Sequence, residues 1–349
     1  STMLTAFFAR RARHLLIALV LVSFGLVAPA FAADTVNVYS ARKEALIKPL
    51  LDRFSAETGV TVNLVTGKGD ALLTRLQAEG RNSPADVLIT TDAGRLYRAQ
   101  EAGVLQAVES DTLLREVPAH LRSPQNQWFG LSVRARAIVY ATDRVNASEM
   151  STYEDLADPR WKGRICIRSS SNIYNQSLVA GMLATQGVAS TDAWLAAFVP
   201  NFARPPQGGD RDQVLAVAAG QCDIAVVNSY YLGAMITSGE PTQQAAAEQV
   251  AIFWPNQDGR GTHVNISGAG VVGSSKNRAQ AIALIEFLAR DDSQQWYAEA
   301  NNEYPVRPDI APSALLQSWG EFKADQVDAS ELGRVNSAAL MAMDRARWK

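Results

Sequence analysis

The sequence predicts an α/β protein with two lobes around a ligand cleft. Three observations predict it. Short apolar runs of strand character alternate with amphipathic segments of helical period. That alternation occurs twice along the chain, and the stretch joining the two series reads as strand, with no Pro/Gly/Ser-rich linker. The chain has 349 residues, enough for two domains of ordinary size, and 47% of them are hydrophobic, as in a globular protein.

The first series opens at Val36–Tyr39, a short buried strand. Leu46, Ile47, Leu50, Leu51 and Phe54 then fall on one helix face; Pro49 makes that helix start late or bend, and Gly59 ends it. Residues 60–65 alternate like a strand, 69–79 read as helix, 85–89 as strand and 92–102 as helix. This β-α-β-α-β-α order is the signature of a parallel sheet with helices on its faces. Two adjacent strands are expected at 128–133 and 137–141. The second series has a strand at 164–168, helices at 172–185, 191–198 and 211–219, and a buried strand at 222–227. Later strands at 250–254 and 264–272, a periodic helix at 279–288 and a charged helical segment from Ser313 complete the chain. A cleft between two such lobes is a natural ligand site.

Composition removes several function classes. With 33 basic and 35 acidic side chains the formal charge is −2, and no long basic block marks a nucleic-acid binder. Two cysteines and three histidines exclude a Cys₄ zinc site, an iron–sulfur cluster and a His-rich metal site within one chain. Gly67-Lys68-Gly69-Asp70 lacks the spacing of a phosphate loop. There is no GxSxG, no HExxH and no Ser-His-Asp cue, so the chain does not read as an enzyme.

Arg10, Arg11 and Arg13 precede an apolar run from Leu15 to Val22, and Ala30-Phe31-Ala32 fits a small-x-small cleavage site. This is the pattern of a secretory signal peptide over residues 1–32; the run is shorter than the ~20 residues that span a bilayer. Arg10-Arg11 leaves Sec and twin-arginine export both open. Export predicts an oxidising compartment in which Cys166 and Cys222 pair, the alternative being two buried free thiols. Each lies eight residues before a tyrosine, Tyr174 and Tyr230, so a bridge between neighbouring strands would set both tyrosine-bearing ends at one sheet edge.

The segments VNVYSARKE, ADVLIT, YEDLADPRWKGRI, SSNIYNQSL, NFARPPQGGDRDQ and CDIAVVNSYYLG resemble those of periplasmic ferric-ion-binding proteins, the bacterial transferrins, most closely their Fut-type branch. The resemblance spans the whole exported chain. It implies the type II periplasmic binding protein fold, with its cleft between lobes joined by hinge strands. It implies a first lobe over 33–131 plus about 260–312, and a second over 132–259 plus about 313–349. One Fe³⁺ would sit in the cleft, delivered to an inner-membrane ABC permease by a monomeric periplasmic carrier without catalysis. The family's tyrosine ligands fall here on Tyr174, Tyr230 and Tyr231. The Fut-type branch adds a His-Tyr pair after the first strand, and Lys43-Glu44 stand at those positions, leaving Glu44 or Tyr39 as the first-lobe oxygen donor.

The chemistry suits these residues. Fe³⁺ is hard and prefers oxygen donors, and phenolate is an anionic oxygen. A free tyrosine titrates near 10, so a trivalent ion must displace its proton. Three phenolates neutralise the ion's charge. Two adjacent tyrosines on a strand point to opposite faces and cannot share one core, but both reach one metal where the strand opens into a helix, as Asn228-Ser229 suggests. Arg204, Arg42 and Arg136 are candidates to hold a synergistic anion such as carbonate or to balance phenolate charge, as is Arg134. Ser171, in the serine run before a helix, is a further anion candidate besides a capping role. The competing reading is a receptor for an oxyanion or small organic solute of an ABC importer, which would show no phenolate-to-iron colour.

Overall fold

The structure, a computed structural model, describes residues 34–349; the expected signal peptide lies outside them. In chain order it runs β1 (Thr35–Ser40), α1 (Lys48–Thr58), β2 (Thr61–Thr66), α2 (Gly69–Glu79), β3 (Val87–Thr91), α3 (Ala93–Glu101), β4 (Leu105–Gln106), α4 (Asp111–Glu116), β5 (Phe129–Ala141) and β6 (Ile165–Cys166). There follow α5 (Ile173–Phe198), α6 (Asp210–Ala218), β7 (Ile224–Asn228), α7 (Ser229–Thr237), α8 (Pro241–Glu248), β8 (Val250–Phe253), β9 (Val264–Val272), α9 (Arg278–Leu288), α10 (Asp291–Asn301) and β10 (Tyr304–Pro305). Helices α11 (Ala314–Ser318), α12 (Ala329–Arg334) and α13 (Asn336–Arg345) end the chain.

The strands join in the order β2-β1-β3-β9-β5-β7-β6, with β4 on β9 and both β8 and β10 on β5. Residues 129–135 of β5 pair antiparallel with β9, and residues 136–140 with β7. One strand therefore serves two half-sheets, a larger one (β2, β1, β3, β9, β10) and a smaller one (β7, β6, β8). The expected pair of strands at 128–133 and 137–141 is thus one 13-residue strand. Its residues are almost all buried, because both its ends have neighbours on both sides; no alternation survives to mark where its partners change. A register shift between Gly130 and Ser132 interrupts its pairing with β9.

Local signals place most helix ends. Pro49 stands in the first turn of α1, where its missing N–H costs nothing, and Gly59 closes the helix at φ +76°, a conformation glycine adopts freely. Asp92 caps α3 by accepting the Gly94 N–H, and Asn172 caps α5 by accepting that of Tyr174. The two helices expected at 172–185 and 191–198 form one element broken at Gly187 (φ +81°, ψ 178°). α12 packs against both α3 and α5, and α13 against α5. Val36, Val38, Leu88, Ile89, Trp128 and Ile266 fill the larger half's core. Val139, Val214, Ala225 and Val227 lie in a second core around the cysteines.

Cys166 and Cys222 are disulfide-bonded, with Cα atoms 5.9 Å apart and a separation of 56 positions in sequence. The bridge ties β6 to the approach of β7, which run parallel. Replacing both cysteines with serine is expected to lower unfolding free energy by about 4 kcal/mol, the chain-entropy value for a loop of this length. Chemical denaturation checks it, and an unchanged midpoint would show the bridge to be energetically idle.

Candidate metal centre

The two tyrosine-bearing turns start from neighbouring places in the smaller half. β7 ends at Asn228 and α7 begins at Ser229, so Tyr230 and Tyr231 occupy a first helical turn with ring centroids 4.5 Å apart. Consecutive residues on a helix diverge by about 100°, far less than on a strand, so both rings reach one side of the sheet edge. Tyr174 lies in the first turn of α5, with its hydroxyl beside that of Tyr231.

Arg136 holds both turns from behind. This buried side chain donates to Asn175 at 2.5 Å, to Asn228 at 2.9 Å and to Asp210 at 3.1 Å. Asp210 also accepts the backbone N–H of Asn228 at 2.8 Å. The residue after Tyr174 and the residue two before Tyr230 thus share one guanidinium. Both its terminal nitrogens are engaged inside the protein, so Arg136 sits behind the two turns as a positive charge rather than as an open anion cradle.

Arg134, two residues earlier on β5 and on the same strand face, enters the cluster itself. It donates to the Tyr174 hydroxyl at 3.1 Å and to the Tyr230 hydroxyl, and its guanidinium carbon lies 4.7 and 4.6 Å from the two ring centroids. Among the described residues Arg134 forms no ion pair with a carboxylate, although it is buried. The Glu303 carboxylate acts on this cation only through space, so the surroundings also favour a negatively charged phenol beside it. Burial alone would raise the Tyr174 pKa. The Arg134 charge and the Tyr231 hydroxyl outweigh it and hold Tyr174 below the ordinary tyrosine value. Burial, and then the charge of Tyr174, push Tyr231 up. Arg168 adds a second guanidinium 5.4 Å from the Tyr174 ring. Replacing Arg134 with glutamine is expected to raise the Tyr174 titration, as read by ultraviolet difference spectra of the metal-free protein. An unmoved titration would mean the guanidinium does not set it.

The remaining candidates lie elsewhere. Tyr39 is turned toward α2. Its hydroxyl donates to Glu79 at 2.9 Å and Arg75 stacks on its ring, because Tyr39 faces the helix layer covering β1. The structure therefore does not bring Tyr39 to the other phenols. Glu44 is exposed in the turn before α1 and lines a shallow hollow with Lys48 and Asp52. Arg42 pairs with Glu303 at 2.8 Å inside the larger half and also donates to Ser132 at 3.0 Å. That pairing gives the Arg42 guanidinium a carboxylate of the protein's own. Burial would favour the neutral acid at Glu303, but Arg42 and Arg134 keep its carboxyl below the usual range. Arg204 bonds Gln221 and Gln213 and lines a separate surface hollow with Gln207 and Asp212, away from the tyrosines. Ser171 bonds Ser169 within the turn ahead of α5, and the cap itself is Asn172.

Glu303, Asp210 and Asn175 escaped sequence reading, and Asn228 is legible there only as a strand-to-helix boundary, since each matters through a partner far away in the chain. Among the described residues no group of three or more His, Cys, Asp and Glu side chains could hold a metal ion. His263 is buried, and burial followed by the charges of Arg136 and Arg260 pushes it down to about 3. The converging oxygen donors are the three phenols, and their arrangement suits a hard, highly charged cation.

Known proteins share this architecture. Iron uptake protein A1 of Synechocystis sp. is 49% identical over 314 residues, covering 90% of this chain and 87% of that protein. The Fe(3+)-binding periplasmic protein of Serratia marcescens is 31% identical, covering 94% of this chain and 95% of its own. The Trichodesmium protein IdiA (FutA), solved in complex with iron and citrate ligands, superposes with a TM-score of 0.88 at 51% identity, over 90% of this chain and 100% of that one. The two-lobe α/β fold is therefore that of ferric-binding proteins. Among the described residues no helix is long and apolar enough to cross a membrane. The sequence pattern of one family matches residues 50–324, and on this match together with the two relatives the chain belongs to the bacterial extracellular solute-binding proteins.

Proposed function

We propose that this protein binds Fe³⁺ as the periplasmic receptor of an iron ABC importer, with Tyr174, Tyr230 and Tyr231 as ligands. The observation that carries the ligand assignment is the meeting of three phenols from two helix starts around the guanidinium of Arg134. Iron as cargo is supported by relatives named for iron uptake and for Fe(3+) binding, and by the Trichodesmium structure with iron and citrate.

Arg134 stands among the oxygens that a metal would occupy. Iron entry displaces its hydrogen bonds to the phenols, so the guanidinium turns aside and remains as a counter-charge. In the iron-free protein it holds the site together and readies Tyr174 for deprotonation. Closing the larger half over the smaller one brings Glu44 or an exogenous anion to the remaining coordination positions. The chain has no catalytic task in this reading. Recognition of the closed form by a membrane permease completes the cycle, with the protein acting as a monomer.

The test is a visible absorption titration of the metal-free exported chain with chelated Fe³⁺. The expected result is a saturable orange-red phenolate-to-iron band at one iron per chain. Absence of a band from a folded protein would overturn the reading and favour a receptor for an oxyanion or small organic solute.

A further inference from the structure

Tyr174 enters the phenol cluster from an irregular stretch, residues 167–172, that joins β6 to α5. Backbone groups in such a stretch have neither ladder nor helix to pair with, so their partners come from elsewhere. Some are local. The Asn175 side-chain amide donates to the carbonyls of Arg168 at 3.0 Å and Ser169 at 3.2 Å, and that of Gln176 to the Ser170 carbonyl at 3.0 Å. The same stretch carries Arg168, whose guanidinium lies 5.4 Å from the Tyr174 ring and 3.7 Å from the Asp210 carboxylate, and Asn172, which accepts the Tyr174 N–H.

The other partners belong to α13 and the residues just after it, 160 to 180 positions further along the chain. Trp348 donates its indole N–H to the Arg168 carbonyl at 3.0 Å, and Ser170 donates its backbone N–H to the Lys349 carbonyl at 3.1 Å. At the start of α13, Asn336 donates to the Gln176 side-chain oxygen at 3.1 Å, which turns the Gln176 amide toward Ser170. Trp348 is itself held on two sides. Arg347, at φ +60°, closes α13 in the left-handed conformation, and the N–H groups of Arg347 and Trp348 return to the carbonyls of Asp344 and Met343. The Trp348 side chain is 2% exposed and lies edge-on to Phe198 at 5.7 Å and to Phe202 at 5.5 Å. A buried indole fixed in this way directs its one polar atom at the stretch that leads into Tyr174.

We infer that Trp348 is a positioning residue for the metal centre, whose indole N–H holds the Arg168 carbonyl and so fixes where Tyr174 and the Arg168 guanidinium stand in the phenol cluster. The inference rests on the ferric reading above. Trp348 touches neither phenol nor metal; it acts through the backbone of Arg168. A ligand held slightly out of place bonds a metal less well, and groups that orient ligands from behind are worth about 10–100-fold in affinity.

Two substitutions separate the indole's donor from its bulk. Trp348→Phe keeps an aromatic ring against Phe198 and Phe202 and removes the N–H. Trp348→His keeps a ring N–H in the corresponding place, because imidazole overlays the five-membered ring of indole, and removes the bulk. Chelator competition gives the Fe³⁺ affinity, visible spectra give the position of the phenolate-to-iron band, and the melting temperature of each metal-free variant reports the fold. Trp348→Phe is expected to bind Fe³⁺ about tenfold more weakly with a shifted band. Trp348→His should bind near the wild-type value, yet melt below Trp348→Phe because it leaves the larger cavity. A tryptophan that only packs would give the reverse order of affinities. Wild-type affinity and band in Trp348→Phe, or Trp348→His binding no better than Trp348→Phe, would overturn the inference and leave the ferric site standing. Should Trp348→Phe not fold, Asn336→Ala carries the test: it frees Gln176 without touching the aromatic cluster and should weaken binding about fivefold, the ratio set by one hydrogen bond. Unchanged affinity in that variant would then overturn the inference. A wild-type chain that takes up no iron would overturn the reading and the inference together.

Discussion

Replacing Tyr230 with phenylalanine is expected to weaken Fe³⁺ binding by more than about a thousandfold, since even loss of a group behind a metal's ligand shell costs about 10–100-fold. The substitution removes one oxygen and little else. The phenylalanine ring can keep the tilted ring contact with Tyr231, 4.5 Å between centroids, in the first turn of α7. Arg134 loses one hydrogen-bond partner and keeps Tyr174 at 3.1 Å. Tyr230 is only half-buried, so the fold should survive with a loss of about 1–2 kcal/mol for the hydrogen bonds its hydroxyl accepts from Arg134 and Asn228. Two consequences at the metal compound each other: a trivalent ion loses an anionic ligand, and Arg134 is left as an uncompensated like charge nearby. Competition with a chelator, run beside circular dichroism, measures both sides. Near-wild-type affinity in a folded variant would remove Tyr230 from the site.

Acid should release iron steeply. Fe³⁺ binds phenolate, so each phenol still protonated in the metal-free protein gives up one proton on binding, and affinity falls as pH falls. Tyr231, whose pKa burial and the Tyr174 charge have raised, stays protonated throughout the neutral and acid range and contributes a full proton. Tyr174, which Arg134 and Tyr231 hold below the ordinary value despite its burial, contributes less where it is already partly ionised. One to three protons per iron means about 10- to 1000-fold weaker binding per pH unit in the range below these pKa values. From pH 7 to pH 5 the apparent affinity should therefore drop by at least about a hundredfold on the one-proton slope. The same competition titration repeated at several pH values gives the slope. A flat profile would exclude protonated phenols as ligands.

Much of the candidate site is legible in the linear sequence because the segments that carry the family resemblance are short and local. NSYYLG places two phenols at a strand-to-helix boundary, SSNIYNQ places a third at a capped helix start, and the matched spacing of Cys166 and Cys222 relates the two ends. The structure adds the group that organises them. Arg134 was one arginine among several candidates; its burial between Tyr174 and Tyr230, 40 and 96 residues away in sequence, sets it apart from Arg42, Arg136 and Arg204. Arg42 shows the reverse case, since its partner Glu303 lies 261 residues off in an unremarkable segment.

By itself the sequence determined the α/β class and the order of nearly every large element, which follow from periodicity, capping and turn chemistry within a few residues; the three phenols were singled out by the resemblance of NSYYLG and SSNIYNQ to the ferric-ion-binding family. Only the tertiary structure decided that residues 129–141 form one strand shared by two half-sheets, that Tyr39 faces Glu79, and that Arg134 rather than Arg136 points into the cluster. Fully buried strands lose their alternation, and a side chain's charge partner is chosen by which strands become neighbours. Both are settled by pairings between distant parts of the chain, which no local pattern records.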